Sequence, residues 1–222
     1  MSIAALNFRG VGTSVGPMLL AGLLGLVTLL QTPLRAETPV ADVVRVEEDW
    51  ELVLAERIAT GPSPQITCTF SPVAQSDALC AKLTLNHRTL PEAGAGGLQL
   101  QVWGDRQPLA YRTAFSDRLL REPGETIRWT QTTTVDAGLL TFKVAGRSEA
   151  WGDFASDGTL SVMVGTAIEN LNGYDPEHSV INSGAGEASD RVASLVLKRV
   201  RLYSTTGLIS EFSTPRVVHS LD

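Results

Sequence analysis

The run Gly97-Leu98-Gln99-Leu100-Gln101-Val102-Trp103-Gly104 constrains the fold of this chain more than any other stretch. Leu98, Leu100 and Val102 alternate with Gln99, Gln101 and Trp103. That period of two is the pattern of a half-buried strand, and a helix cannot place such a set on one side. The aliphatic row goes to a core and the other row to water or a groove. Because Trp103 travels with the amides, its face is the first candidate for ligand contact.

Further runs of the same kind lie on both sides. Val43 to Leu54 carries Val44, Val46, Trp50 and Leu52 on one face, interrupted by Glu48, and reads as a strand with Trp50 inside and a bulge at the acids. Gln65–Phe70 and Leu79–Arg88 read as the arms of a hairpin, Leu109–Phe115 as another strand, and Glu125–Val135 as a Thr-rich strand. Asp136-Ala137-Gly138 turns that strand back into Leu139–Val144. Thr159–Ile168 resumes β character. Arg191–Tyr203 is the longest strand, with Val192, Val196 and Val200 opposed to Leu195, Leu197, Arg199 and Arg201. The tail, with Phe212, Pro215 and Val217-Val218, adds a short strand or covers an edge. Twenty Gly and eleven Pro scattered between such runs fit a turn-rich β protein, and 222 residues suffice for one sizeable domain. The expected fold is all-β, a two-sheet antiparallel sandwich of jelly-roll type over residues 37–222.

At the N-terminus, Arg9 precedes the apolar block Met18–Leu30, and Gln31-Thr32-Pro33-Leu34-Arg35-Ala36 comes after it. The order of charge, apolar core and small residue reads as a signal peptide over residues 1–36, with a retained membrane anchor as the alternative. Either reading expects the domain to be exported, in the periplasm, at the cell surface or secreted. The net charge of −6 argues against nucleic acid as a partner, since an acidic chain repels phosphate.

Cys68 and Cys80 lie symmetrically about the turn of the first hairpin, and in an oxidising compartment they are expected to form a cross-strand disulfide. Carboxylates on both faces of one strand cannot converge on one ion, so Glu47, Glu48, Asp49 and Glu51 read as a solvated acidic edge. The long irregular segment Asn170–Asp190 offers Asp175 and Asp190 as candidate calcium ligands, and no other cofactor is expected. Three scattered His residues form no ligand spacing, His87 reads as structural, and Gly-x-Ser-x-Gly is absent. Glu149, Asp153 and Asp157 around Trp151 are the one enzymatic lead, yet they lie in a turn and not on one strand face. By strand parity, Asn86 and Arg88 join Gln99, Gln101 and Trp103 as a candidate ligand face, on which an indole would stack a sugar ring while amides and a guanidinium satisfy its hydroxyls.

From Arg191 to Gly207, the run Val-Leu-Lys-Arg-Val-Arg-Leu-Tyr-Ser-Thr-Thr-Gly resembles the closing strand of concanavalin A-like (laminin G-like) jelly rolls, and Asp49–Tyr203 resembles uncharacterised exported bacterial proteins. The resemblance implies a two-sheet sandwich, often with sugar or calcium bound at one edge. The acidic motif of the catalytic relatives is missing here. The expected function is an exported, non-catalytic binding or cell-envelope interaction module with carbohydrate as the favoured ligand. A polysaccharide-active glycoside hydrolase or lyase and a purely structural surface protein are the alternatives.

Overall fold

The computed structural model describes residues 41–56, 63–74, 79–86, 97–116 and 118–221, and Val40–Asp222 group as one compact unit. The proposed signal or anchor segment, His87 and Arg88 lie outside the described residues. Among the described residues no helix is long and apolar enough to cross a membrane.

Two antiparallel sheets face one another. In the larger, β1 (Arg45–Leu54) is central, between β6 (Thr126–Asp136) and β11 (Val192–Ser204). Beyond β6 comes β7 (Leu139–Ser148), which also pairs β8 (Gly152–Phe154) and β9 (Ser161–Gly165). On the other side, β12 (Gly207–Phe212) and β13 (Arg216–Ser220) pair with the two halves of β11. The smaller sheet runs β10 (Gly184–Ala185), β2 (Ile66–Phe70), β3 (Leu79–Leu85), β4 (Gly97–Gly104), β5 (Gln107–Phe115). This is the all-β, two-sheet sandwich that the alternating runs require.

The core lies between the sheets. Leu98, Leu100 and Val102 of β4 point into it, as do Leu83 and Leu85 of β3 and Phe70 of β2. Across from them, Phe142 meets Phe70 edge-on, with ring centroids 5.3 Å apart. Trp50 and Trp129, directly opposed in register, stack with centroids 6.2 Å apart and planes 4° apart. The β6–β7 hairpin turns at Ala137 (φ 47°) and Gly138 (φ 77°), the two left-handed residues of a type I′ turn whose twist suits the strands it joins.

Two features of β11 depart from simple alternation. Its ladder with β1 shifts register between Asp49 and Trp50 and again between Val53 and Leu54, leaving Lys198 and Ala193 as the extra residues. Strand β1 itself alternates without a break, so the bulges fall in β11 and not at the acids of β1, where the sequence reading expected one. Bulges also change which residues share a face. Val192, Leu195, Leu197 and Val200 therefore all point inward, while Val196 turns out with the arginines, correcting the faces expected for this strand.

The hairpin of β2 and β3 forms as expected, but Cys68 and Cys80 are not joined in a disulfide. Cys68 pairs in register with Leu83, three positions from Cys80. An odd separation in a strand means opposite faces. Cys68 therefore lies in the core with Ile66 and Phe70, while Cys80 accompanies Lys82 on the outer face.

Gly146 of β7 is the position of closest approach. A Cβ there would overlap Phe154 Cζ and would meet Arg128 O and Trp129 Cβ, each at 2.6 Å. Backbone and an indole root cannot yield as a side-chain tip can. Gly146→Ala is expected to cost about 1–3 kcal/mol, read as a lower urea midpoint with unchanged m-value.

The segment between β9 and β11 contains a six-residue helix, α1 (Pro176–Ile181), then β10 and a 3-10 turn at Ser189–Arg191. Helix α1 packs on β2 and β13, closing one edge of the sandwich.

Candidate functional site

The outer face of the smaller sheet holds the residues that alternation singled out. Across β3, β4 and β5 the rows Cys80–Trp103–Pro108, Lys82–Gln101–Tyr111 and Thr84–Gln99–Thr113 lie in register. This face is graded in depth. Gln99 is 2% exposed and Thr84 is buried, whereas Gln101 and Trp103 are half-buried and Tyr111 is 48% exposed. Gln101 and Tyr111 line an open depression of about 710 Å³, with Pro108, Leu109, Ala110, Arg112 and Thr113 completing it.

Trp103 is not the bare platform that parity suggested. Lys82 Nζ lies 5.4 Å over its ring, and its indole nitrogen is buried. The solvent-open ring paired with Gln101 is Tyr111, on the neighbouring edge strand. It was legible in the sequence as an aromatic within a predicted strand, but its pairing with Gln101 depends on the β4–β5 register. Asn86 does not join this surface. It adopts a left-handed conformation (φ 61°), is fully buried, and donates from Nδ2 to Ser63 O (2.8 Å) and Pro64 O (3.0 Å). An Asn placed just past a strand end serves the turn with its short amide.

A second polar surface, on the larger sheet, comes from the acidic run. The expectation of an acidic edge is corrected: β1 is the central strand, and Glu47, Asp49 and Glu51 point outward between cationic neighbours. Asp49 accepts from Arg199 Nε (2.7 Å), Arg201 Nη2 (3.0 Å) and Thr130 Oγ1 (2.7 Å). Glu51 accepts from Arg128 Nε (2.8 Å) and Lys198 Nζ (3.3 Å). Partial burial pushes the Glu51 carboxyl up, and the two cations more than offset it, so its pKa lies below the ordinary carboxylate range. These residues floor a groove of about 620 Å³.

The fourth acid of the run, Glu48, turns inward and is 1% exposed. Trp50 Nε1 (2.9 Å) and Gln131 Nε2 (3.0 Å) donate to its Oε2, while Tyr174 OH (2.7 Å) and Ser179 Oγ (2.5 Å) donate to its Oε1. Burial raises its pKa, and these four hydrogen bonds pull the other way without cancelling it. The break that Glu48 makes in the apolar row of its strand was the available signal.

Asp175 and Asp190 are not brought together with other ligands. Asp175 caps α1, its side chain accepting from Glu177 N at 3.0 Å ahead of Pro176, which is the chemistry of a helix start. Asp190 is exposed in the 3-10 turn. Among the described residues no group of three or more His, Cys, Asp or Glu side chains is arranged to hold a metal ion. Asp153 and Asp157, with Trp151, Phe154 and Phe115, line a smaller depression of about 400 Å³. Glu149 lies apart from it, paired with Arg128 at 3.2 Å.

No protein-family model matches this sequence, and no curated protein matches it. The concanavalin A-like resemblance and the likeness to exported bacterial proteins therefore stand without a family match. Among solved structures the chain is similar to an ancestral congerin at 9% identity, covering 73% of this chain and 95% of that one, with a TM-score of 0.30. An overlap of that order carries no argument about site or ligand.

Proposed function

We propose that this protein is an exported, non-catalytic binding module whose ligand is a carbohydrate chain, bound on the outer face of the smaller sheet. The observation that carries this reading is the opposed pair Gln101 and Tyr111 in one open depression. A phenol ring presents a flat face on which the C–H side of a sugar packs, and a neighbouring primary amide both donates to and accepts from its hydroxyls. Arg112 and Thr113 add polar groups within the same depression. Export rests on the N-terminal sequence, as does the choice of an extracellular or envelope glycan.

Binding is favoured over hydrolysis by where the acids lie. A glycosidase needs one carboxyl held protonated near neutral pH beside a second that is ionised, both facing the cleft. Among the described residues the carboxyls whose pKa is raised, Glu48 and Glu125, are buried: Glu48 under Tyr174 and Ser179, Glu125 against the Ser148 hydroxyl that donates to it. In the groove of the larger sheet, Asp49 and Glu51 are engaged by cations.

The test is a glycan-array screen followed by titration of any hit against wild type and Tyr111→Ala. Loss of the stacking surface is expected to weaken binding about tenfold, on the order of 1.5 kcal/mol, with the melting temperature unchanged because the ring is half in solvent. A hit whose affinity is indifferent to Tyr111→Ala would move the site elsewhere. A chain that binds no glycan on the array would remove the carbohydrate reading.

A further inference from the structure

Glu48 is a buried carboxyl held by four side-chain donors, and the proposed glycan face does not use it. We propose that Glu48 is a proton-operated clamp for residues 171–187: with a proton on its carboxyl the segment is docked, and loss of that proton loosens it. Two of the four donors belong to the sheet, Trp50 on β1 and Gln131 on β6. The other two, Tyr174 and Ser179, belong to the segment.

The partners sort by chemistry as well as by origin. Trp50 Nε1–H can only donate, and with the Gln131 amide turned as it is its nitrogen likewise, so Oε2 accepts from both. Oε1 faces two hydroxyls, each of which can donate or accept. A proton on Oε1 is therefore accommodated by turning one hydroxyl around, with every hydrogen bond kept. Without the proton, Oε1 carries charge in a dry interior and depends on both hydroxyls donating to it. Withdrawal of the segment would replace those hydroxyls with water. The carboxylate is thus better solvated in the open form, and the neutral acid is well served in the closed one.

Among the described residues no cation is bonded to the carboxylate. On β2, Cys68 is buried beside it, its thiol pushed up by burial and then by the Glu48 charge. On β13, Arg216 Nε is engaged with Glu177 of α1 at 2.7 Å, and its charge acts on Tyr174. His178 is on α1 itself, and His219 of β13 contacts Val192 O through Nε2 at 3.0 Å. Further tethers of the segment are ordinary hydrogen bonds. Toward β2 they are Thr69 N to Ser183 Oγ (2.9 Å), Thr69 Oγ1 to Asn182 O (2.8 Å), Gly186 N to Gln65 O (2.8 Å) and Gln65 N to Glu187 O (3.0 Å). At its start they are Leu171 N to Val43 O (2.7 Å), Val43 N to Asn172 Oδ1 (2.8 Å), Asn172 Nδ2 to Asp42 Oδ1 (2.7 Å) and Ala74 N to Gly173 O (2.9 Å).

Hydrogen exchange of the full chain between pH 4 and 9, with rates corrected for intrinsic exchange, tests the clamp at the Thr69 and Gly186 amides. One proton separates the closed and open forms. Their protection is therefore expected to fall about tenfold per pH unit above the ordinary carboxylate range and to level off once Glu48 has titrated in the closed form. Glu48→Gln keeps an acceptor toward Trp50 and Gln131 and donates toward the hydroxyls, so its protection is expected to be flat with pH. A flat wild-type profile, or a slope that persists in Glu48→Gln, overturns the proposal. So does protection equal to that of the β4 amides, which would mean unfolding of the whole sandwich. Should Glu48→Gln fail to fold, Tyr174→Phe serves instead. It removes a donor that favours the carboxylate, so the levelling-off is expected at higher pH, and an unmoved profile refutes the clamp.

Discussion

Replacing Trp50 with alanine is expected to lower the unfolding free energy by about 3–5 kcal/mol, the largest effect of any single truncation proposed for this chain. Trp50 is 1% exposed on the central strand of the larger sheet, stacked on Trp129 and bonded through Nε1 to Glu48. Truncation removes three things together. The indole's burial, which drives apolar surface out of water on folding, is lost. The stacked face of Trp129 loses its contacts, because a strand fixed between β6 and β11 cannot move to refill the space. Glu48 Oε2 keeps a single donor. For a domain of this size, roughly 2–4 °C of melting temperature accompanies each kcal/mol, so the midpoint is expected to fall by about 6–20 °C. A fall of less than about 3 °C by scanning calorimetry would show that the strand does adjust, and the account of a rigid centre would have to go.

Glu48→Leu is expected to approach that loss for a different reason. Leucine fits the volume but leaves Trp50 Nε1–H and the Gln131 amide facing an apolar side chain. Each buried donor without a partner costs about 1–3 kcal/mol, so a loss of about 2–6 kcal/mol is expected. Tyr174 and Ser179 are not counted, since two hydroxyls can turn toward one another. Glu48→Gln is expected to stay within about 1 kcal/mol of wild type at acid pH, where both side chains are neutral. The sign of the pH dependence comes from the raised pKa of Glu48, caused first by burial. The folded protein holds this proton more tightly than the unfolded chain does. Stability is therefore lost as pH climbs from the ordinary carboxylate value to the raised one, and levels off beyond it. Glu48→Gln, which has no proton to lose, is expected to gain on wild type across that window. Urea midpoints at several pH values measure the difference. Parallel curves for the two proteins would mean that Glu48 is charged, and fully compensated, throughout.

The strands were readable where alternation is clean. β4 begins and ends where the Leu/Gln pattern does, and the β6–β7 hairpin turns at Ala137-Gly138 inside the expected turn. Strand β11 shows the limit of that reading. Its face assignment fails past a register shift, because a bulge adds one residue and inverts the parity of the residues beyond it. The cysteines illustrate the same point from the other side: symmetry about a turn says nothing of facing, and an odd offset put one thiol in and one out.

Local pattern alone determined the fold class, because the period of side chains along a strand is set by the backbone and needs no knowledge of partners. It also picked out the Gln101–Trp103 face and the break at Glu48. Only the tertiary structure decided which partners those residues meet. Pairing of β5 beside β4 set Tyr111 against Gln101, and docking of α1 against β2 and β13 brought Tyr174 and Ser179 to a carboxylate 126 and 131 residues away in sequence. Such contacts depend on register and on the crossing of distant segments, which are chosen by the free energy of the whole packed core rather than by any stretch of sequence read by itself.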